Sequence, residues 1–434
     1  MSGSPNIPFL PPEIFLVLAQ HIHRDDLPNY RRANRTLAEA GQPELFHTII
    51  LRNTCASVSG FNHIRQNKQL SKLVRTVIWD THSWRVGVDV RDWHEWTRHC
   101  ESGAESATPD QRALYKELAV SRQHWEAYLS RLEEEKEALQ VIKAFSFGPP
   151  RTGLQLCNLR TIHVVSGTYQ LNKWHVSKTE EHAMLPVTIP LSTWRGDSFS
   201  QSLPSILISA IPAAAASAEE WQIDGLTMKE LGLLSISSRN YSTNSKLASI
   251  IIRLDAGPNY LGVKQAWLAS FLGQWRNLES VHLDLGIRTD FPIQSIEDTF
   301  EGTNHLNLSH DLAGPQLWPK LRKLSLWHLY SSPKALLSLI SRHSSTLRDL
   351  RLHAIWLDGG GLELGTQKFW RGILEVIGAT TSLEKMALSG VFRNNNCRSD
   401  MWDFDDEHLA MVAAHWTING GKCPLLNTTA LESR

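Results

Sequence analysis

One stretch of the chain is dense in carboxylates: Asp403, Asp405, Asp406 and Glu407, with His408 beside them. Such a set could ligate a divalent cation or divide acid and base work between two carboxyls. The next residues, Leu409-Ala410-Met411-Val412-Ala413-Ala414, read as a helix, however. Acidic groups at a first helical turn are explained by the positive end of the helix dipole, and that reading is preferred. The tightest histidine spacings are His21-x-His23 and His94…His99. Neither is the pair four apart on a helix, with a glutamate nearby, that hydrolytic zinc sites use. Gly359-Gly360-Gly361 is short for a phosphate-cradling loop and lacks a following G-K-[ST]. The sequence contains no G-x-S-x-G elbow and no H-R-D or D-F-G series. The five cysteines, Cys55, Cys100, Cys157, Cys397 and Cys423, are far apart and never form C-x-x-C. That spacing argues against a disulfide framework or a cysteine zinc site, and for a reducing compartment. The expectation is a non-enzyme with no catalytic set, no metal and no cofactor.

What the chain does repeat is a pattern of apolar spacing. Leu321-x-x-Leu324-x-Leu326-x-x-Leu329 is the clearest copy, followed by Leu347-x-x-Leu350-x-Leu352-x-x-Ile355 and Leu383-x-x-Met386-x-Leu388-x-x-Val391. Leu278-x-x-Val281-x-Leu283, Leu247-x-x-Ile250-x-Ile252 and Leu159-x-x-Ile162-x-Val164 are partial copies. Residues two apart on a strand face the same way, so each copy predicts a strand with one apolar face. Between copies, helical spacing appears over residues 261–275, 334–343 (opened by Pro333) and 367–377. Strand, loop and helix units that cannot bury their own faces predict a leucine-rich-repeat-like α/β solenoid over residues 151–434. The first positions 247, 278, 321, 347 and 383 are unevenly spaced, and the asparagine of regular repeats is missing. The solenoid is therefore expected to be irregular.

Residues 51–150 read as a connecting region. Val74-x-x-Val77-x-Trp79 predicts a first strand, and Thr108-Pro109-Asp110 starts a long helix over residues 109–145. Its stripe is Leu114, Leu118, Trp125, Leu129, Leu132, Leu139 and Ile142. Packing along the repeat domain is the preferred use, with a coiled-coil dimer as the alternative. The run Glu133-Glu134-Glu135-Lys136-Glu137 reads as a solvated face.

The composition fits a small module plus a large one: 434 residues, 42% hydrophobic and 20% charged. Lysine plus arginine equals aspartate plus glutamate, 44 each, so no net field favours nucleic acid or an anionic membrane. The start lacks the basic and apolar regions of a signal peptide, and no apolar run approaches the ~20 residues of a membrane span. A cytoplasmic or nuclear location is expected. Of the sixteen tryptophans, eight (Trp79, Trp84, Trp93, Trp96, Trp174, Trp194, Trp327 and Trp356) lie in or near predicted strand ends and loops. Most should fill core. Trp327 and Trp356 are the candidates for contact with a partner, since tryptophan is enriched at binding hot spots.

In the first fifty residues, Leu10-Pro11-Pro12-Glu13-Ile14 opens an apolar helix whose stripe is Ile14, Leu18 and Ile22. Asp25-Asp26-Leu27-Pro28 starts a second helix, and a break near Gly41 precedes Leu45-Phe46. Three short helices bury little alone and usually finish their core against a partner. An ordinary helical hairpin would also fit these residues. The order L-P-P-E-I, D-D-L, Arg31-Arg32-Ala33-Asn34-Arg35 and Leu45-Phe46 resembles the F-box, with Asn34 where that family often has cysteine or serine. Ser344-Ser345-Thr346-Leu347-Arg348-Asp349-Leu350-Arg351-Leu352-His353 and the closing Asn419-Gly420-Gly421-Lys422-Cys423-Pro424-Leu425 resemble the C-terminal region of fungal F-box proteins.

The resemblance implies an α+β protein in which residues 1–50 form a three-helix F-box and the rest selects a substrate. Carried over position by position, it makes Leu10, Pro11, Ile14, Leu18, Ile22, Asp26, Leu27 and Arg31 the contacts to a Skp-type adaptor and through it a cullin. Asp26 would cap the second helix and Arg31 would sit on it. The implied function is that of a non-catalytic substrate-recognition subunit of a cullin-based ubiquitin ligase, with an unknown protein substrate. A repeat-based interaction scaffold outside ubiquitination is the alternative.

Overall fold

Proline is free of cost in a first helical turn, where its missing N–H has no carbonyl to meet. Pro12 accordingly opens α1 (Pro12–His21), with Glu13 at the positive end of the dipole. The structure, a computed structural model, describes residues 11–23, 26–81, 92–106, 109–146, 156–165, 218–226, 231, 234, 246–254, 268, 271–285, 318–357, 369–394, 397–404 and 407–420. Leu10, Trp84, Trp174, Trp194 and Gly359-Gly360-Gly361 lie outside those residues. The chain forms two compact units, residues 1–162 with 168–194, and residues 163–167 with 195–434. Among the described residues no helix is long and apolar enough to cross a membrane.

In the first unit, α2 (Leu27–Ala33) and α3 (Arg35–His47) follow α1. The expected break near Gly41 is instead at Asn34. Its backbone is extended, and its side chain accepts from the Leu37 N–H at 2.9 Å, capping α3. Gly41 and Pro43 both sit inside α3. A Cβ at Gly41 would press on Arg31 Cγ at 2.8 Å, so glycine there lets α2 and α3 close. The Tyr30 hydroxyl donates to the Phe15 carbonyl at 2.9 Å and ties α2 to α1.

Helix α3 runs directly into β1 (Thr48–Leu51), which straddles the boundary drawn at residue 50. β1 pairs in parallel with β2 (Thr76–Asp80), Thr48 opposite Thr76, and the helices α4 (Cys55–Gln66) and α5 (Leu70–Leu73) lie between them in the chain. The repeating strands thus begin one strand earlier than Val74-x-x-Val77-x-Trp79. Ile49 and Leu51 are buried as the alternation of β1 requires.

An excursion follows β2: α6 (Trp93–Ser106), α7 (Pro109–Val120) and α8 (Arg122–Ser146). The single helix expected over 109–145 is two, separated at Ser121, whose hydroxyl accepts from the His124 N–H at 3.4 Å. Trp96, Trp125 and Tyr128 meet in one aromatic cluster, with Trp96 4.9 Å from Tyr128, and the Trp96 indole donates to the Leu118 carbonyl at 2.9 Å. Leu118, Trp125, Leu139 and Ile142 are buried, whereas Leu129 is exposed. The seam a coiled-coil dimer would need is thus largely used inside the unit. Glu135 corrects the solvated-face reading: it is fully buried, while Glu133 pairs with Lys136 and Glu134 with Arg131.

A further strand, β3 (Thr161–Val165), begins in the first unit, where the Arg75 carbonyl accepts the N–H groups of Arg160 and Thr161. The same motif organises the second unit. There β4 (Glu220–Leu226), β5 (Ser249–Leu254), β6 (Ser280–Asp284) and β7 (Lys323–Trp327) run parallel in register. The short β8 (Tyr330–Ser331) and helix α9 (Pro333–Arg342) lead to β9 (Asp349–His353). After β10 (Trp356–Leu357) and α10 (Phe369–Thr380) comes β11 (Lys385–Ser389). β9 pairs with β7 and β11 with β9, again parallel. The carbonyl before each strand accepts two N–H groups from the next: Glu279 from Arg322 and Lys323, Arg322 from Arg348 and Asp349, Arg348 from Glu384 and Lys385.

Each predicted copy is therefore a strand. Leu324, Leu326, Leu350, Leu352 and Leu388 are buried on one face, as expected. β4 was not among the predicted copies. Ala218-x-x-Trp221-x-Ile223 has the spacing with alanine and tryptophan in place of leucines, and all three are fully buried. Pro333 opens α9 under a Ser332 cap, and α9 buries Leu336, Leu339 and Ile340.

The chain turns sharply after three successive strands, at His328 (φ 52°), Ala354 (φ 48°) and Gly390 (φ 72°). His328 donates its N–H to the His353 carbonyl, and Ala354 donates to Ser389. The turns lead into a second small sheet, β8, β10, β12 (Val391–Asn394) and β13 (Cys397–Asp403), with β13 antiparallel to β12. Helix α11 (Glu407–Asn419) closes the unit, with Glu407 in its first turn.

Two glycines give opposed expectations. A Cβ on Gly378 of α10 would overlap the Thr417 carbonyl oxygen of α11. Gly378→Ala should lose ~1–3 kcal/mol by overpacking, more than the ~1 kcal/mol that alanine contributes to a helix. A Cβ on Gly60, in α4, meets nothing within 4 Å, so Gly60→Ala should stabilise by ~0.5–1 kcal/mol. Urea denaturation of the two variants checks both signs.

Candidate functional site

Strand alternation puts the leucines of β4–β7, β9 and β11 on one face and leaves the other face to the residues between them. That outward face carries the polar side chains of these strands. Parallel register arranges it in rows. One row is Asp224, Arg253, Asp284, Trp327, His353 and Ser389. The row before it includes His282, Ser325 and Arg351, and the one before that Lys323, Asp349 and Lys385.

At the centre, the Trp327 ring lies 4.6 Å from His353 and 5.2 Å from His282. His328 follows Trp327 in a left-handed backbone conformation that non-glycine residues rarely adopt. The turn carries its ring to Asp284, with Nδ1 2.8 Å from Oδ1, and edge-on to His353 at 5.0 Å. Holding a histidine in such a conformation costs on the order of 1 kcal/mol, a feature that clusters at binding and catalytic positions. His282 Nδ1 is 2.8 Å from Ser325 Oγ, and His353 Nδ1 is 2.9 Å from Ser389 Oγ. Farther along the row, Asp224 is buried between His163 (2.5 Å) and Arg253 (2.9 Å). Gly225 has φ 78° at the register shift beside Asp224, a backbone turn that disfavours a side chain.

A hydroxyl beside an imidazole suggests nucleophilic catalysis, but a triad also needs a group that orients the base. His282 Nε2, the nitrogen such a group would hold, is buried with no hydrogen-bond partner. Among the described residues no group of three or more histidine, cysteine, aspartate or glutamate side chains is placed to hold a metal ion. The arrangement offers hydrogen bonding and aromatic contact to another molecule.

Burial, then the nearby Arg253 charge, pushes the His282 imidazole down to about 4, and burial does the same to His343, which stacks on Trp318. Both lie below the ordinary 6.5, so the folded state holds fewer protons than the unfolded chain between those values. The stability of these neutral rings is complete above pH 6.5 and is lost as pH falls toward 4. Melting temperature should fall over that window, and the fall should flatten in His343→Phe, which keeps an aromatic ring but does not titrate.

The residues anticipated for adaptor contact divide. Ile14, Val17 and Leu18 are 43%, 50% and 45% exposed, and their spacing places them on one side of α1. Leu16 and Pro11 are also exposed. Ala19 is buried and Phe15 half-buried on the other side. Ile22 leaves the expected stripe: it is the half-buried C-cap, its backbone extended after the helix has ended. Leu27 is only 3% exposed, so it fills the unit's own core and offers no surface. Asp26 occupies the N-cap position of α2 without a side-chain cap hydrogen bond. Arg31 sits on α2, its Nε donating to the Ala38 carbonyl and its guanidinium 5.8 Å from the Phe46 ring centroid.

Of the partner candidates, Trp327 stands in the outward cluster. Trp356 is on β10, opposite Tyr330 and Arg393 in the second sheet, and so is not in a row with Trp327. Sequence reading missed His163, Asp224, His282, Asp284, His328 and His353. The available signal was the odd positions of the predicted strands, Ile162-His163-Val164 and Val281-His282-Leu283 among them.

No family model matches the sequence, and no curated protein matches it. Among solved structures it is similar to the leucine-rich repeat-containing protein LegL7 from Legionella pneumophila, at 12% identity over 66% of this chain and 96% of that one. The TM-score is 0.24. The parallel, repeating α/β arrangement of the second unit is established by its strand register, not by that likeness.

Proposed function

We propose that this chain is a non-catalytic substrate-recognition subunit of a cullin-based ubiquitin ligase, acting in the cytoplasm or nucleus. α1 docks on a Skp-type adaptor, and the outward face of a leucine-rich-repeat-like solenoid holds a protein substrate. The observation that carries the reading is the apolar outer side of α1, Ile14, Val17 and Leu18, in the stretch Pro11-Pro12-Glu13-Ile14 that resembles the F-box. Exposed apolar groups clustered on a short helix are what an interface anchor requires. The outward face supports the second half, with a half-buried tryptophan, a residue enriched at interfaces, among hydrogen-bonding side chains. Catalysis would belong to partners, and this chain would supply proximity.

Co-purification of the full chain with a Skp-type adaptor tests the reading, with Ile14→Ala/Leu18→Ala as the comparison. Retention of adaptor by the native chain and its loss in the variant is the expected result. Absence of adaptor from the native chain overturns it. The reading as an interaction scaffold outside ubiquitination is favoured by one observation. Leu27 and Arg31, which the F-box resemblance assigns to the adaptor, are engaged inside the chain.

A further inference from the structure

The ion pairs of the outward face are unequal in exposure. Asp224 is 1% exposed and its partner Arg253 32%, and Asp349 is 11% exposed against 60% for Arg351. In both pairs the carboxylate is the buried member and the guanidinium reaches solvent. Lys323 and Lys385 lie in the same row as Asp349, one strand to either side of it, and both are exposed. Among the described residues neither lysine has an ion-pair partner. Strands are spaced ~4.8 Å apart, so the two lysines stand ~10 Å from each other with Arg351 one row beyond. Lys323, Arg351 and Lys385 stand here against Asp349, and the neighbouring Glu384 is offset by its own partner Arg348, so this end of the face is cationic on a chain whose total charge is zero. Trp327 is four residues along β7 from Lys323, ~13 Å away at strand rise.

From this placement we infer that the face takes an extended acidic segment of a protein partner. Its carboxylates would meet Lys323, Arg351 and Lys385, and an apolar side chain about four residues on would meet Trp327. The inference rests on the partner-binding half of the receptor reading and adds the chemistry of the partner. An extended peptide covers the ~13 Å between lysine and tryptophan in the same four residues that the strand uses. The charged groups would steer and select it, and the ring would anchor it.

The test is fluorescence anisotropy with the full chain and a short fluorescein-labelled peptide of alternating glutamate and serine closed by leucine. Peptides with glutamine or lysine in place of glutamate serve as comparison. The expected result is binding of the glutamate peptide alone, weakened by added salt. Lys323→Glu/Lys385→Glu should reduce affinity about tenfold or more, with melting temperature and adaptor co-purification unchanged. Trp327→Ala should weaken the same peptide. Equal binding of the glutamate and glutamine peptides, or indifference to the double charge reversal, overturns the inference. So does tighter binding of an oligothymidylate that displaces the peptide, since the face would then be a nucleic-acid surface. Adaptor co-purification in the same preparations separates the two readings: a peptide failure with adaptor retained sinks only the acidic-partner inference.

Discussion

Asp224→Ala is expected to destabilise the second unit by about 3 kcal/mol, the typical cost of removing one member of a buried charged group. Asp224 accepts from Arg253 and is bonded to His163, whose side chain is only 2% exposed. With the carboxylate gone, Arg253 can turn toward water because it is already 32% exposed. His163 cannot, and it loses its bond to that carboxylate in a position where water does not readily replace it. Asp224→Asn keeps the shape and a hydrogen-bonding oxygen but loses the charge, so its cost should be smaller. Urea denaturation monitored by circular dichroism measures both. A loss below about 1 kcal/mol for the alanine variant would mean that the group is hydrated and contributes little.

The largest effect on binding is expected at α1. Truncating a buried interface anchor costs ~2 kcal/mol, so Ile14→Ala/Leu18→Ala should weaken adaptor binding by ~4 kcal/mol, about 1,000-fold. Both side chains are exposed in the free chain, so the double variant should keep its melting temperature. Leu27→Ala makes the contrast. Leu27 is buried within the chain, and its truncation should cost ~2–5 kcal/mol of stability while acting on the adaptor only through unfolding. Isothermal titration with purified adaptor, beside thermal melts, separates the two. A double variant that binds like the native chain would show that this side of α1 is not the contact.

Elements whose signal is local are legible in the chain alone. A strand with two leucines two apart and a third entering three earlier can be read from spacing, and six predicted copies are strands. Pro12 and Pro333 open helices for a reason contained in one residue. Sequence spacing also placed Ile14 and Leu18 together, and both are exposed on α1.

Features that depend on distant neighbours are fixed only when the chain folds. Whether Leu27 faces a partner or the chain's own core depends on how α1 to α3 close. Closure in turn depends on the missing side chain of Gly41 and on Tyr30 reaching Phe15. Glu135 lies in a run of charges that any local reading assigns to solvent, yet the packing of its helix buries it. The outward face is the clearest case. His163 and Asp224 are 61 residues apart, and His328 and Asp284 are 44 apart. Alternation tells which way each side chain points, but parallel strands joined by long crossovers bring together residues whose separation follows no fixed period. Register, a property of the assembled sheet, chose those neighbours.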